Sequence, residues 1–339
     1  MKKTIWFDIT NVPHVNFFLP FIERYEKDFD MIFSIRDFAE TKNLFEKKIN
    51  RPYLMVGSHK GGNKLKKAIG SLERVSVLQR TIPYFDIKIS VGGDAAGMVT
   101  QLRRKLSITF DDNEKSPNWT YSPFSDFAFW PKAISVDDLH KQFFKDRKLY
   151  QYDGYKEDIY LADYVPNPSF KEALPFEHYV VVRPENVKAS YVGGGISIVP
   201  ELLKRLTEMN LNILFLPRYE SDREYAKDSP NIYVPHEAVN GLDACYYADA
   251  VLTGAGTMAR EAACLGVPAI SFYAGKELLT VDQSLIAKGK MAFSRDVDEI
   301  SGFLKTASRK EEDMNRCKSV QMEVFTKLDE VINNYLSKK

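Results

Sequence analysis

The stretch Val251 to Phe272, VLTGAGTMAREAACLGVPAISF, predicts a buried strand, a glycine-containing turn, a helix and a second buried strand. Gly254 and Gly256 allow the backbone to turn with positive φ and to approach a ligand closely. We expect Thr257 to cap the helix, which should end at Gly266, just before a proline. The first-turn amides of such a helix lack intrahelical partners and carry the positive end of its dipole. The stretch is therefore either a phosphate-binding turn or an ordinary strand-to-helix turn of an α/β sheet.

The composition of the 339-residue chain predicts a soluble globular protein with two domains, since 44% of the residues are hydrophobic and 27% are charged. The net charge of +1 argues against binding of nucleic acid by bulk electrostatics. No apolar run approaches the roughly 20 residues that span a bilayer, and Asp8 interrupts the apolar start too early for a signal peptide. Cys245, Cys264 and Cys317 fit no zinc-binding spacing, so we expect reduced core thiols in a cytoplasmic protein.

Short apolar runs alternate with helical patterns along most of the chain, which predicts βαβ units and parallel sheets. Five strands are expected before Asp111, and a second alternating series begins at Tyr179. Residues 116–176 are rich in proline and aromatic side chains, and there we expect short strands and the connection between domains. The predicted organisation is an N-terminal Rossmann-like domain at 1–174, a C-terminal Rossmann-like domain at 175–310, and a helix at 311–339 that can pack back on the N-terminal domain.

Polar or glycine-rich clusters follow the predicted strands, at the carboxyl ends where ligands bind in open α/β sheets. These clusters are Thr10 to His14, His59 to Asn63, Gly92 to Asp94, Asp111 to Glu114, Arg183 to Gly195, Arg218 to Arg223, and Gly254 to Thr257. We therefore expect two doubly wound parallel-sheet domains that face a central cleft, with the clusters arranged around it.

Five motifs spread over most of the chain carry a resemblance to a known family. They are FDITNVPHVNFF from Phe7, RDFAET from Arg36, RPENVKASY from Arg183, LPRYESDRE from Leu216, and YYADAVLTGAGTMAREAACLGVPAIS from Tyr246. The chain resembles a domain-of-unknown-function family of uncharacterised archaeal and bacterial proteins with a predicted GT-B glycosyltransferase fold. This resemblance implies the two-domain α/β architecture but no settled activity.

Two better-understood GT-B groups are similar at lower resolution. The glycosyltransferases that add N-acetylglucosamine to lipid-linked muramyl precursors have a glycine-rich turn ending in His after their first strand. This chain has Thr10 to His14 there, with Asn-Val-Pro in place of glycines. The UDP-N-acetylglucosamine 2-epimerases have a His-Arg-Arg-Glu-Asn motif, whose counterpart at Val182 to Asn186 lacks the His, and a Gly-Asp turn that Gly93-Asp94 matches. Their nucleotide turn corresponds to Gly254-Ala255-Gly256.

The resemblance implies that the second domain binds a nucleotide-sugar donor. The diphosphate would be held by the turn made of Gly254, Ala255, Gly256 and Thr257. Glu261 would accept hydrogen bonds from the ribose hydroxyls, and Arg183 would neutralise the leaving diphosphate, on which charge grows in the transition state. The further donor-binding candidates are Arg218, Glu185 and Arg260. The alternatives are a solvated Glu261, a surface charge at Arg260, and an inter-domain salt bridge between Arg183 and Glu185.

The first domain is expected to bind the acceptor and to supply the catalytic base. His14 is one candidate, because the pKa of an imidazole lies near working pH, and Asp94 is the rival base. The acceptor-binding candidates are Asp8, Asn11, His59, Asp112 and Glu114. A lone His is more often structural, Asp8 can instead orient the turn that follows it, and the loop around His59 can be an ordinary mobile loop.

Neither a metal nor a cofactor is expected. The triplet Asp296-Val297-Asp298 has a D-x-D spacing, but a helix N-cap followed by a charged first turn explains it better. GT-B sites mostly replace the metal with a helix dipole and cations. Lys64, Lys66 and Lys67 are expected to form a solvated helix face, with peripheral contact to anionic lipid as the alternative.

The sequence favours a metal-independent glycosyltransferase that uses a nucleotide-diphosphate sugar, with UDP as the first choice. Its acceptor would be a glycan, a lipid-linked precursor or a small molecule, and nucleic acid is not expected as a partner. One alternative is an isomerase that epimerises the sugar at C2 through elimination of UDP, with Asp94, Asp112 or Glu114 moving protons. The other alternative is a nucleotide-sugar-binding protein without catalysis. The stereochemical outcome and the oligomeric state stay open.

Overall fold

A computed structural model describes residues 2–38, 41–58, 64–186, 196–226, 229–237, 239–311 and 314–338, without the side chains of residues 64–68 and 147. The chain forms two compact units. Unit 1 contains Met1–Asp163 together with Asn315–Lys339, and unit 2 contains Tyr164–Met314. The domain limits at residues 174 and 310 stay predictions.

Unit 1 is built on a parallel sheet that has seven strands among the described residues. The strands are β1 (Lys3–Ile9), β2 (Phe29–Asp37), β3 (Leu54–Ser58), β4 (Ile87–Val91), β5 (Leu106–Phe110), β6 (Phe127–Pro131) and β7 (Leu149–Tyr152). Their order across the sheet is β3-β2-β1-β4-β5-β6-β7. Because β1 is central, Asp8 near its end lies in register with Ser34 on one side and Ser90 on the other.

The helices of unit 1 connect these strands. They are α1 (Val12–Tyr25), α2 (Thr41–Lys48), α3 (Lys64–Thr81), α4 (Asp94–Leu102), α5 (Val136–Lys141) and α6 (Lys156–Leu161), with short 3-10 helices at Asn118–Thr120, Ser122–Phe124 and Asp146–Lys148. Helix α1 begins three residues earlier than its pattern predicts. Asn11 is extended, with φ −146°, and Pro13 suits the first turn because its ring presets φ. The prediction of a turn from Thr10 to His14 is therefore wrong for its last three residues.

Unit 2 has a parallel sheet of six strands within the part of the chain that the structure describes. The strands are β8 (Val180–Arg183), β9 (Ile213–Phe215), β10 (Ile232–Tyr233), β11 (Ala250–Thr253), β12 (Ala269–Ser271) and β13 (Ala292–Phe293). Their order, β10-β9-β8-β11-β12-β13, is the 3-2-1-4-5-6 order of a dinucleotide-binding sheet. The helices are α7 (Ser169–Glu172), α8 (Val199–Glu208), α9 (Gly241–Tyr246), α10 (Gly256–Cys264), α11 (Thr280–Ala287) and α12 (Val297–Thr306), with a 3-10 helix at Glu220–Ala226. The predicted class, two doubly wound parallel-sheet units, is confirmed.

The two cores differ in composition. In unit 1, Phe110 stacks on Phe129 with ring centroids 4.5 Å apart, and Phe17 and Phe21 each contact the same Phe110 ring edge-on at 5.2 Å. The core of unit 2 is mainly aliphatic and joins the two faces of its sheet to the helices through buried Val, Leu and Ile side chains. The abundance of aromatic residues therefore serves the core of unit 1, where large rings fill the space beside the central strands.

The chain ends in a long helix, α13 (Met314–Leu336), which belongs to unit 1. Its Phe325 contacts the ring of Phe21 at 5.0 Å, and its Asp329 accepts a hydrogen bond of 2.7 Å from the Tyr25 hydroxyl. The polypeptide therefore starts in unit 1, passes through unit 2 and returns. Among the described residues, no helix combines the length and the apolar character that crossing a bilayer requires.

Gly154 tests how closely α13 lies against unit 1. A Cβ atom there would lie 2.5 Å from Cγ2 of Val320 and 3.0 Å from Oδ2 of Asp158. We expect Gly154→Ala to lower the free energy of unfolding of unit 1 by about 1–3 kcal/mol, because the added methyl overpacks the contact. Urea denaturation followed by tryptophan fluorescence measures this, since Trp6, Trp119 and Trp130 all lie in unit 1.

The matched control is Gly302→Ala in α12, where a Cβ atom meets nothing within 4 Å. That variant lies in unit 2 and should not lower the unfolding midpoint followed by far-UV circular dichroism, since alanine is favoured over glycine inside a helix. Equal midpoints for Gly154→Ala and the wild type would contradict the close contact.

Candidate functional site

A buried ion pair lies at the carboxyl edge of the unit 1 sheet, where the strands end. The guanidinium of Arg74 in α3 donates two hydrogen bonds to the carboxylate of Asp8, of 3.0 Å from Nη1 and 2.6 Å from Nη2. Its Nε donates a third bond, of 2.9 Å, to the backbone oxygen of Val56. Asp8 is fully buried and Arg74 is 7% exposed. Burial alone would raise the pKa of Asp8, but the Arg74 charge and the bonds from Arg74 and Ser34 hold it below its ordinary value.

The polar network continues into the sheet below this pair. Ser34 receives a hydrogen bond of 2.8 Å from the indole nitrogen of Trp6 and donates its own proton to Asp8. On the other side of β1, Lys88 is fully buried in β4, and its ammonium donates to Ser90 Oγ at 2.9 Å. Burial lowers the pKa of Lys88 to about 8. The interior of the edge is thus polar and hydrogen-bonded, which buried charges require.

A two-glycine turn covers this network. Gly92 and Gly93 have φ angles of 57° and 96°, which residues other than glycine rarely adopt. A Cβ atom on Gly93 would lie 3.7 Å from Oδ2 of Asp8, and one on Gly92 would lie 3.3 Å from Oδ2 of Asp111. The turn places Asp94 in the first turn of α4, where its carboxylate accepts from Ser71 Oγ at 2.6 Å.

Two adjacent carboxylates follow β5 and have different surroundings. Asp111 accepts a hydrogen bond of 2.6 Å from the Tyr121 hydroxyl and bonds from the amides of Asp112 and Asn113. Burial and the neighbouring Asp112 charge raise the pKa of Asp111 to about 6. Asp112 is buried and forms an ion pair of 2.8 Å with Lys156. Asp111 is therefore suited to exchange a proton near neutral pH, whereas the Asp112 carboxylate is held by the buried ammonium of Lys156.

His14 lies beside these carboxylates but does not titrate near neutrality. The side chain is 7% exposed, and its Nδ1 lies 3.4 Å from Thr10 Oγ1. Burial and the Lys156 charge lower the pKa of His14 to about 3, against the opposing influence of Asp112 and Asp8. The expectation that this imidazole titrates near working pH is wrong, and the ring is neutral at physiological pH.

The remaining first-domain candidates are placed as follows. Asn11 is exposed at the N-cap of α1 without a side-chain capping bond, and Glu114 is buried after β5. His59 lies outside the described residues, as do the side chains of Lys64, Lys66 and Lys67. Asp8, His14, Asp94 and Asp112 thus lie at or just after strand ends of the unit 1 sheet, and their roles as site residues stay predictions.

In unit 2, the strand ends of β8 and β11 approach very closely at Gly254. A Cβ atom on Gly254 would lie 2.4 Å from Cα of Glu185, and its amide donates to the backbone oxygen of Arg183 at 3.0 Å. The carboxylate of Glu185 accepts from Ile198 N at 3.1 Å and from Arg295 Nη2 at 3.2 Å. The structural reason for glycine at 254 is therefore backbone packing. Arg218 lies nearby, with Nε 3.4 Å from the oxygen of Pro184.

The α10 head, formed by Ala255, Gly256 and Thr257, is partly exposed. The helix begins at Gly256 with Ala255 as N-cap, so the prediction that Thr257 caps it is wrong. The hydroxyl that accepts a hydrogen bond here belongs to Thr253, whose Oγ1 accepts from the Ala255 amide at 2.9 Å. By helix geometry, the first-turn amides point away from the helix without intrahelical partners. The head therefore presents donors to its surroundings.

Arg260 lies directly behind the α10 head. It is 3% exposed and forms an ion pair of 3.0 Å with Asp282 of α11, which is 2% exposed. Its other terminal nitrogen, Nη2, lies 3.3 Å from Thr257 Oγ1. Glu261, the next residue, is also buried. The alternatives of a surface charge at Arg260 and a solvated Glu261 are therefore wrong.

Sequence reasoning placed Asp111 in a strand-end cluster without giving it a role, and it missed five further residues at these two sites. They are Arg74, Lys88, Tyr121, Lys156 and Asp282. Lys88 could have been found from the sequence, because a charged residue inside an otherwise apolar strand indicates a buried charge with polar partners. The others lie on helical or irregular segments whose pattern does not reveal which face is buried.

The D-x-D triplet has the structural role that its position predicts. Oδ1 of Asp296 accepts from the amides of Asp298 at 2.8 Å and Glu299 at 3.0 Å, which confirms the N-cap. Within the described ranges, no group of three or more His, Cys, Asp and Glu side chains is placed to hold a metal ion. The three cysteines are buried and free of disulfides.

Comparison with known proteins shows the family to which this chain belongs. The family model described as "Protein of unknown function (DUF354)" matches residues 3–336, so the chain belongs to that family. The uncharacterized protein MJ0665 of Methanocaldococcus jannaschii is 29% identical over 314 residues, which cover 88% of this chain and 90% of that protein. The predicted resemblance to an uncharacterised family is confirmed.

Solved structures are similar in fold over nearly the whole chain. UDP-GlcNAc 2-epimerase from Neisseria meningitidis bound to UDP-GlcNAc has a TM-score of 0.73 at 12% identity, covering 96% of this chain and 100% of that one. The Methanocaldococcus jannaschii UDP-GlcNAc 2-epimerase in complex with UDP-GlcNAc and UDP has a TM-score of 0.69 at 16% identity, covering 95% and 99%. The glycotransferase of kitacinnamycin has a TM-score of 0.58 at 10% identity, covering 99% and 100%. The fold is GT-B.

The neutral state of His14 predicts a pH dependence of stability. His14 has a pKa of about 3 when folded and an ordinary value of 6.5, so between these values the folded state binds fewer protons than the unfolded state. The free energy of unfolding of unit 1 should therefore decrease as the pH falls below 6.5, by about 2 kcal/mol between pH 6.5 and pH 5 from this residue. Urea denaturation at a series of pH values measures the slope.

The variant His14→Gln should lose this part of the slope, whatever its stability at pH 7. Replacement of the exposed His236 by Asn is the control and should keep the wild-type slope. A slope that is the same in wild type and His14→Gln would show that His14 is not held neutral.

Proposed function

We propose that this chain is a glycosyltransferase whose unit 2 binds a nucleotide-diphosphate sugar. The observation that supports the proposal is the α10 head, where partly exposed first-turn residues lie in front of the buried guanidinium of Arg260. Backbone amides at a helix N-terminus together with an arginine suit a diphosphate, because each hydrogen bond to a charged oxygen is stronger than a neutral one. The solved structures of similar fold that contain UDP and UDP-GlcNAc favour a uridine nucleotide.

In this proposal, the residues of unit 2 divide the donor between them. The α10 head and Arg260 bind the diphosphate, and Glu261 binds the ribose hydroxyls. Arg183, at the end of β8, neutralises the charge that grows on the leaving group. Arg218, held beside the segment that follows Arg183, is a second cation for the same charge. Glu185 acts indirectly, because its contacts hold the backbone next to β8.

Unit 1 is proposed to bind the acceptor and to accept its proton. Asp94 is the proposed base, since it lies partly exposed in the first turn of α4. The neutral His14 would orient the acceptor through a hydrogen bond rather than carry charge. Asp8 and Asp112 are each held by a buried cation, which favours a supporting role. The acceptor contacts assigned to Asn11, Glu114 and His59 stay proposals, and the acceptor is a glycan, a lipid-linked precursor or a small molecule.

Isothermal titration calorimetry with UDP tests the donor site. A Cβ atom on Gly256 would lie 3.1 Å from Nη1 of Arg260, so Gly256→Asp would put a carboxylate at the α10 head. We expect this variant to bind UDP at least about tenfold more weakly, since the new charge repels phosphate and competes for its donors. Gly302→Asp, on an exposed part of α12, adds the same charge and should bind like the wild type.

Absence of UDP binding by the wild-type chain would count against the donor site, as would equal binding by Gly256→Asp. Tight binding of UDP-sugars without turnover, with any acceptor offered, would instead favour a nucleotide-sugar-binding protein.

Epimerisation of the sugar at C2 is the second candidate function. The carboxylates after β5 favour it, because Asp111 has a pKa of about 6 and adjoins Asp112, which is paired with Lys156. Elimination and re-addition of UDP requires a group that removes and returns a proton at C2, and a carboxylate with a raised pKa suits that exchange. The fold likeness to UDP-GlcNAc 2-epimerases gives this alternative further support.

Incubation of UDP-GlcNAc with the protein in deuterium oxide separates the two functions. Epimerisation predicts deuterium at C2 without any acceptor, at a rate that rises with pH through about 6 as Asp111 loses its proton. The variant Asp111→Asn should then lower the exchange by about 100-fold or more. Glycosyl transfer predicts no deuterium at C2, and NMR spectroscopy of the recovered sugar distinguishes the outcomes.

A further inference from the structure

The buried pair Arg260–Asp282 joins the N-terminal halves of two helices in unit 2. Arg260 belongs to α10 and Asp282 to the first turn of α11, and their contact is 3.0 Å between Nη1 and Oδ1. Both side chains are nearly inaccessible. An arginine at this depth is costly unless a carboxylate and good hydrogen bonds compensate it. Asp282 therefore makes it possible for a positive charge to stand behind the α10 head.

The contact of Arg260 with Thr257 fixes the direction of a hydrogen bond at the α10 head. A guanidinium can only donate, so Thr257 Oγ1 accepts from Nη2 across 3.3 Å. The hydroxyl proton of Thr257 is not used by this bond and stays a donor. Gly256 lies against the same guanidinium, since a Cβ atom there would be 3.1 Å from Nη1. The contacts from Asp282 to Arg260 and from Arg260 to Thr257 thus direct hydrogen-bond donors toward the partly exposed N-terminal end of α10.

We propose that Asp282 is a positioning residue for phosphate: it holds the Arg260 guanidinium behind the α10 head, so that the Arg260 charge and the Thr257 hydroxyl, which Arg260 orients, together favour the phosphates of a nucleoside diphosphate. This inference rests on the proposed donor site and adds the residue that orients it. A lone arginine would lose side-chain freedom on binding phosphate, whereas a guanidinium already fixed by a carboxylate loses less. Asp282 itself does not touch the ligand.

A purely structural role for the pair makes a different prediction. If Asp282 only ties α11 to α10, its loss disturbs the whole nucleotide site, and uridine and UDP lose affinity alike. If Asp282 positions Arg260, only ligands that carry phosphate are affected. The ratio of UDP to uridine affinity therefore separates the two roles, since uridine lacks the phosphates that the Arg260 charge attracts and the Thr257 hydroxyl contacts.

The test measures the affinities of UDP by calorimetry and of uridine by ligand-observed NMR. We expect Asp282→Asn, which keeps the size but removes the charge, to weaken UDP binding about threefold to tenfold and to change uridine binding less than about twofold. Adding Asp282→Asn to Arg260→Met should change UDP binding less than about twofold, because the residue acts through Arg260. Additive losses would overturn the proposal.

Arg260→Met leaves the buried carboxylate of Asp282 without its partner and can fail to fold. A second pair of variants therefore tests the same series of contacts at Thr257, its partly exposed end. Thr257→Val should weaken UDP binding about tenfold with uridine unchanged, and Thr257→Ser, which keeps the hydroxyl, should bind like the wild type. Unchanged or tighter UDP binding by Asp282→Asn, or equal losses for UDP and uridine, would overturn the inference while the donor site stands. A wild-type chain that does not bind UDP would refute the donor site and this inference with it.

Discussion

The ion pair between Asp8 and Arg74 is the constraint on which the carboxyl edge of unit 1 depends. It joins the central strand β1 to helix α3 with both charges removed from water, so neither partner is tolerated alone, and loss of one partner of such a pair typically costs about 3–5 kcal/mol. The two-glycine turn lies next to this pair, since a Cβ atom on Gly93 would be 3.7 Å from Oδ2 of Asp8. The position of Asp94 at the start of α4 follows from that turn. The buried Asp8–Arg74 pair and the position of the candidate side chain of Asp94 are therefore linked through this turn.

Unit 2 uses the same kind of pair for the opposite chemical purpose. In unit 1 the buried arginine neutralises a strand carboxylate, and the partly exposed groups around it include the carboxylates of Asp94 and Asp111. In unit 2 the buried Asp282 compensates Arg260, and the partly exposed residues are those of the α10 head, which carry first-turn amides and the Thr257 hydroxyl. One edge thus presents proton acceptors and the other presents hydrogen-bond donors. A phosphate is attracted by the second set and repelled by the first, which is the physical reason to assign the nucleotide to unit 2.

The sequence predicted what depends on local pattern. The alternation of apolar runs and helical spacing is enough for two parallel sheets, and the strand-end rule is enough to bring Asp8, Asp94 and Asp112 to one edge. Partners distant in sequence were missed: Arg74 is 66 residues from Asp8, and Asp282 is 22 residues from Arg260. Nothing local marks a helical arginine as buried. The prediction of the residue that caps α10 was wrong for a related reason. Thr253 and Thr257 are both plausible hydrogen-bond acceptors, and only the backbone path decides between them.

The acid–base character of the unit 1 edge also depends on burial, and it narrows the chemistry that the edge can perform. Burial keeps the imidazole of His14 neutral, so it cannot serve as a cationic acid at physiological pH. Lys88 has a pKa of about 8 but is enclosed in the sheet, where its ammonium donates to Ser90, Thr109 and a backbone oxygen. Asp8 stays ionised beside Arg74. Of these groups and Asp111, only Asp111 combines a pKa near neutrality with partial exposure, because burial and Asp112 raise its pKa while Tyr121 and backbone amides hold the carboxylate in place. A reaction at this edge that needs reversible proton transfer therefore has Asp111 as its natural carrier, whereas glycosyl transfer needs a single acceptance of the acceptor's proton, the role proposed for Asp94.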